Sequence, residues 1–64
     1  MRRTVFWERM NARFGTSYAD SVARDVTVAQ LGGRTAQEAL SAGVPAKAVW
    51  LAICDVFEIP IKER

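Results

Sequence analysis

Histidine is absent from the 64 residues, and cysteine occurs once, at Cys54. The first absence removes the usual general base and the commonest metal ligand. The second excludes an internal disulfide and points to a reducing cytoplasm. No apolar run approaches the roughly 20 residues that span a bilayer. No charged segment leads into an apolar stretch and a small-residue cleavage site, so no membrane partner and no export signal are expected. Met1 leading directly into patterned sequence suggests an intact natural start. The carboxylates Glu8, Asp20, Asp25, Glu38, Asp55, Glu58 and Glu63 are dispersed without a metal-ligand pattern, and Gly32-Gly33 lacks the spacing of a phosphate loop. Asp55 beside Cys54 disfavours a thiolate, which makes that residue a buried or edge thiol rather than a nucleophile. An enzyme is not expected, nor is a cofactor. Repeats, linkers and low-complexity runs are also missing.

What is present is a globular composition, 50% hydrophobic and 25% charged, in a chain near the size at which each large apolar side chain matters to stability. One domain over 1–64 is expected. The net charge of +2 is unevenly spread. Arg2, Arg3, Arg9 and Arg13 against Glu8 give residues 1–15 a net +3, while residues 16–64 carry −1. A nucleic-acid partner would use such a patch for phosphate contacts, although four arginines around an amphipathic helix are more commonly a solvated face.

Periodicity and turn residues predict an all-α bundle of three to four helices, over residues 5–14, 18–31, 36–42 and 45–57. In the first, Phe6, Trp7, Met10 and Phe14 form one stripe, with Thr4 as N-cap and Gly15 as stop. In the second, Ser17 and Asp20 suggest a weak capping box, and Tyr18, Val22, Val26 and Ala29 share a face from which Leu31 departs. The β-branched run Val26-Thr27-Val28 is a poor helix former, so a kink or break near Asp25 is an alternative. Thr35-Ala36-Gln37-Glu38 is the clearest local signal, a capping box that starts the third helix. Pro45 restarts the chain after Gly43. The last helix presents Ala46, Val49, Ile53, Val56 and Phe57, and Ile59-Pro60 begins a docked, then fraying, tail. The predicted core is Phe6, Trp7, Met10, Phe14, Val49, Ile53 and Phe57.

Ala39, Gly43 and Val49 have helix-turn-helix spacing: a small residue for close approach, a left-handed turn residue and a core anchor. The same spacing packs any two short helices steeply, so it is weak evidence for DNA binding. In a reading helix the groove-facing positions would be Pro45, Ala46, Lys47, Trp50, Leu51 and Cys54. Only Lys47 offers a charged donor, and base edges are read by polar side chains. Counting about 100° per residue from Val49, Ile53 falls at about 40°, Phe57 at about 80° and Leu51 at about 200°, away from the core. Lys47, Trp50, Leu51 and Cys54 therefore suggest a protein-binding face, although for Trp50 itself partial core burial is the simpler expectation.

The stretches "MRRTVFWERMNARFG", "LGGRTAQEALSAGVPAKAVW" and "CDVFEIP" resemble the small actinobacterial proteins grouped as domain of unknown function 3046. The likeness spans nearly the whole chain. It implies a compact helical protein of unestablished activity, an association with DNA metabolism, and no cofactor or catalytic residue to carry over. It also implies that arginine often stands where this chain has Leu51, which weakens a nucleic-acid role at that position. The leading expectation is thus a non-catalytic protein-interaction module, binding a protein partner or itself through Lys47, Trp50, Leu51 and Cys54. The alternative is weak, sequence-insensitive nucleic-acid binding through Arg2, Arg3, Arg9 and Arg13.

Overall fold

A computed structural model describes residues 1–64. Two helices, α1 (Arg3–Phe14) and α2 (Thr16–Asp25), lead into a minimal antiparallel hairpin of β1 (Thr27–Val28) and β2 (Arg34–Thr35). Helices α3 (Ala36–Ser41) and α4 (Ala46–Val56) follow, and single 3-10 turns lie at Ala29–Leu31 and Ile61–Glu63. The fold is small and mostly helical.

Helix α1 buries Phe6 and Met10 completely, while Trp7 and Phe14 pack against the core half-buried. It starts at Arg3, so Thr4 is inside the helix and no side chain caps its amides. Helix α2 starts at Thr16 on Gly15, again without a side-chain cap, which places Ser17 inside the helix rather than at its boundary. Its buried face is Ala19, Val22 and Ala23, one position round from the expected Tyr18, Val22, Val26 and Ala29. Tyr18 and Ala29 are exposed. The alanines bring α1 and α2 together where bulkier side chains would hold them apart.

The second helix does not run to residue 31; it breaks after Asp25, where the β-branched run prefers extended backbone. Thr27 pairs with Thr35 and Val28 with Arg34. The connection closes through Gly32 and Gly33, at φ 73° and 77°, a left-handed turn that side-chain-bearing residues resist. The Gly33 amide donates to the Val28 carbonyl at 3.0 Å. This hairpin inserts Val28 and Leu31 into the core, so Leu31 is buried although it lies off any helical stripe.

The capping box is complete: the Glu38 amide donates to Thr35 Oγ1 at 3.2 Å, and the Thr35 amide to Glu38 Oε1 at 2.9 Å. The Thr35 amide, donating to the carboxylate, holds the Glu38 carboxyl below its ordinary range. Helix α3 closes with a two-bond C-terminal motif, in which the Val44 amide donates to the Ala39 carbonyl and the Gly43 amide to the Leu40 carbonyl. Gly43 at φ 93° supplies the turn. Ala39 and Val49, on either side of it, are fully buried, and α3 and α4 pack on each other.

Helix α4 is the central element. Ala46, Val49, Trp50, Ala52, Ile53 and Cys54 are all buried, because α1, α3 and the hairpin each contact this helix. Lys47, Ala48, Leu51 and Asp55 remain as its outer strip. Val56, expected on the apolar face of this helix, is exposed, and Phe57 is half-buried with its ring centroid 5.0 Å from that of Phe14. The segment after α4 docks at Ile59 as expected, and although residues 60–63 are exposed its last residue packs back as well. Ile59 is buried, and Arg64 Nε donates to the Ile59 carbonyl at 2.8 Å while Nη1 lies 2.7 Å from Asp55 Oδ1.

Candidate functional site

The expected interaction residues divide between surface and core. Lys47 is exposed and Leu51 retains 37% of its surface, whereas Trp50 retains 2% and Cys54 none. Cys54 therefore contributes no docking surface, and Trp50 contributes only the floor of a cleft. Burial pushes the Cys54 thiol above its ordinary range, with Arg64 opposing and Asp55 reinforcing the shift. A thiol so placed is a poor nucleophile. No group of three cysteine and carboxylate side chains comes together to hold a metal ion, and no helix is long and apolar enough to cross a membrane.

The cleft has a volume of about 450 Å³ and lies between the N-terminal half of α1 and the first turns of α4. Trp50, Leu51, Val5 and Met1 give it apolar surface, and Arg9, Lys47 and Arg64 give it charge. No carboxylate side chain lines it. Met1 and Leu51 are two of the five large apolar residues left exposed, so part of the chain's uncovered apolar surface converges here. Helical spacing explains the convergence: Val5 and Arg9 are one turn apart on α1, as are Lys47 and Leu51 on α4.

The tail forms the remaining wall. Trp50 Nε1 donates to the main-chain oxygen of Arg64 at 3.1 Å, and the Arg9 guanidinium donates to the same oxygen. Arg64 is held in turn by Asp55, whose second carboxylate oxygen accepts from Gln30 Nε2 at 3.2 Å. These two hydrogen bonds, Arg64 first, keep the Asp55 carboxyl below its ordinary value. Sequence reasoning missed Met1, Val5 and Arg64 as cleft residues. Val5 could have been found as the apolar residue one turn before Arg9, but the return of Arg64 depends on long-range packing.

The four N-terminal arginines do not act as one patch. Arg3 Nη2 donates to the Leu40 carbonyl at 2.7 Å and serves the α1–α3 contact. Arg9 is engaged by the tail, while Arg2 and Arg13 are exposed. Arg9 and Arg13 line a smaller neighbouring cleft of about 240 Å³, with Ala12, Trp50 and Glu63. Neither Arg13 nor Lys47 has a carboxylate partner; the ion pairs are Arg24–Asp20 and Arg64–Asp55.

The family described as a protein of unknown function, DUF3046, matches residues 1–62. The chain belongs to the DUF3046 family. No curated protein and no solved structure matches it. Membership in DUF3046 is thus carried by nearly the whole fold, including the α1 and α4 walls of the cleft but not Arg64.

Proposed function

We propose that this DUF3046 protein is a non-catalytic interaction module that docks a protein partner in the α1–α4 cleft, over Val5, Arg9, Lys47 and Leu51 with Trp50 as its floor. The observation that carries this reading is apolar surface meeting the unpaired Lys47 ammonium in one concavity that no acidic side chain lines. Interfaces combine apolar anchors with a polar rim, and a tryptophan fixed by its own hydrogen bond provides a rigid base. The absence of histidine and the buried, proton-retaining Cys54 support a binding role over a chemical one. The single free thiol suits a reducing compartment, in keeping with a cytoplasmic setting.

Affinity capture from the native host, parent against Leu51→Asp, tests the proposal. The variant keeps its melting temperature, because an outer-strip position changes stability little, and loses a protein that the parent retains. Sedimentation of the parent alone distinguishes a second copy from another protein as the occupant. An unchanged set of captured proteins with a folded variant would move the interface elsewhere.

Weak nucleic-acid binding is the second reading, favoured by Arg9 and Arg13 lying one turn apart on α1, with Arg2 exposed just before the helix. With Arg3 tied to Leu40 and Arg9 to the tail, few cations remain for phosphate. Binding to a duplex is expected to be insensitive to sequence and lost at moderate salt. Selective binding that survives physiological salt, measured by fluorescence anisotropy, would reverse the order of the two readings.

A further inference from the structure

The two clefts along the α1–α4 seam have Arg9 and Trp50 in common, and the tail stands between them: Arg64 lines one and Glu63 the other. The shared pair is also where the tail is fastened. The Arg9 guanidinium and the Trp50 indole N–H both donate to the main-chain oxygen of Arg64, a carboxylate oxygen because Arg64 is the last residue of the sequence. The Arg64 side chain adds the Asp55 ion pair at 2.7 Å and a hydrogen bond to the Ile59 carbonyl at 2.8 Å.

The other end of the tail is rooted by packing. The chain leaves α4 through Glu58, at φ 54° the one non-glycine residue with positive φ, and the Ile59 amide donates back to the Cys54 carbonyl at 2.9 Å. That turn buries Ile59 in the core. Between root and fastening nothing apolar holds the segment down: residues 60–63 are exposed, and Ile61 keeps 84% of its surface. Its internal main-chain bonds are those of a single turn, from the Glu63 amide to the Pro60 carbonyl and from the Arg64 amide to the Ile61 carbonyl. Polar contacts through one residue, partly screened by solvent, are thus set against the entropy of ordering five.

We propose that residues 60–64 form a strap that swings on Ile59, and that its release joins the two clefts into one groove over Trp50, from Val5 to Arg13. Closed, the strap divides the groove and covers the indole edge. Open, it frees Arg9 and leaves Trp50 as a continuous floor. As a control on docking the strap rests on the α1–α4 cleft being the docking surface, but its opening is a property of the chain alone.

Hydrogen exchange of the full chain, followed by nuclear magnetic resonance, tests the strap. The Trp50 indole N–H is expected to be about ten-fold less protected than the Ile53 amide, because it opens with the strap and not with the core. Low concentrations of urea are expected to speed exchange at Ile53 and leave the indole nearly unmoved, since strap opening exposes little surface. Arg64→Ala is expected to speed the indole several-fold, with Asp55→Asn acting in the same direction, and to shift the amides of both Val5 and Arg13. An indole that follows Ile53 in urea, or that ignores both substitutions, would overturn the strap; shifts confined to one cleft would overturn the joining of the two. No partner enters these measurements, so the strap can stand if docking over Leu51 fails, and fall if docking holds.

Discussion

Trp50 is the residue on which stability and proposed function meet. Its ring is packed in the core and its indole N–H is satisfied by the tail, so the two tryptophans should differ in solution. In nuclear magnetic resonance spectra, the Trp50 indole proton is expected to exchange slowly and that of half-buried Trp7 much faster. Similar rates for both would mean that the tail does not cover Trp50. Trp50→Ala should cost about 3–5 kcal/mol, a large part of the stability of a domain this small. Cys54 gives an independent check on the register of α4. Fully buried and protonated, it should react with a thiol reagent only as fast as the protein opens, and reaction at the rate of a free thiol would contradict its placement. Partial core burial of Trp50 and a buried or edge position for Cys54 were legible in the sequence, but how completely both are closed off from the docking face was not. The sequence shows one helix face at a time, whereas α4 is enclosed by three other elements and the returning tail.

Among the elements, those set by local chemistry were the most readable. The Thr35–Glu38 box and the Gly43 turn depend on residues a few positions apart, so their spacing alone indicates them. Thr35→Ala removes the bond to the Glu38 amide and should cost about 1 kcal/mol in thermal or denaturant unfolding. No change would mean that the α3 terminus finds another cap. Acid should weaken this box and the tail anchor in the same direction. Glu38 and Asp55 titrate below their ordinary values of 4.5 and 3.8 in the folded chain, so their contributions are complete above those values. They are lost as pH falls through the lower, folded values. Stability measured by denaturant should accordingly decline below about pH 4.5, and Asp55→Asn should remove part of the slope. The hairpin and the true end of α2 were harder to read. Val26-Thr27-Val28 announces a poor helix but does not name Arg34-Thr35 as the pairing partner, which depends on the glycine turn and on the space above α4. Ala19 and Ala23 were overlooked as core for a simpler reason: alanine contributes little to an apolar stripe, yet it sets how closely two helices approach.

The whole molecule measures 25 × 22 × 21 Å and exposes 4038 Å². A standard interface covers about 800 Å² on each partner, roughly a fifth of this surface. Docking must therefore reach beyond the cleft to its rim, and Arg13 in the adjoining cleft lies in its path. The candidate site was half visible in sequence. Lys47 and Leu51 follow from helical phase, but Val5, Arg9 and Arg64 join them only when α1 and the tail pack on α4. The central claim, that a partner occupies this cleft, is tested most directly by titrating isotope-labelled protein with the captured partner and mapping amide and indole shifts. Changes are expected at Val5, Arg9, Lys47, Leu51 and the Trp50 indole N–H. Shifts confined to α2, the hairpin and the outer face of α3, with the cleft unmoved, would contradict it.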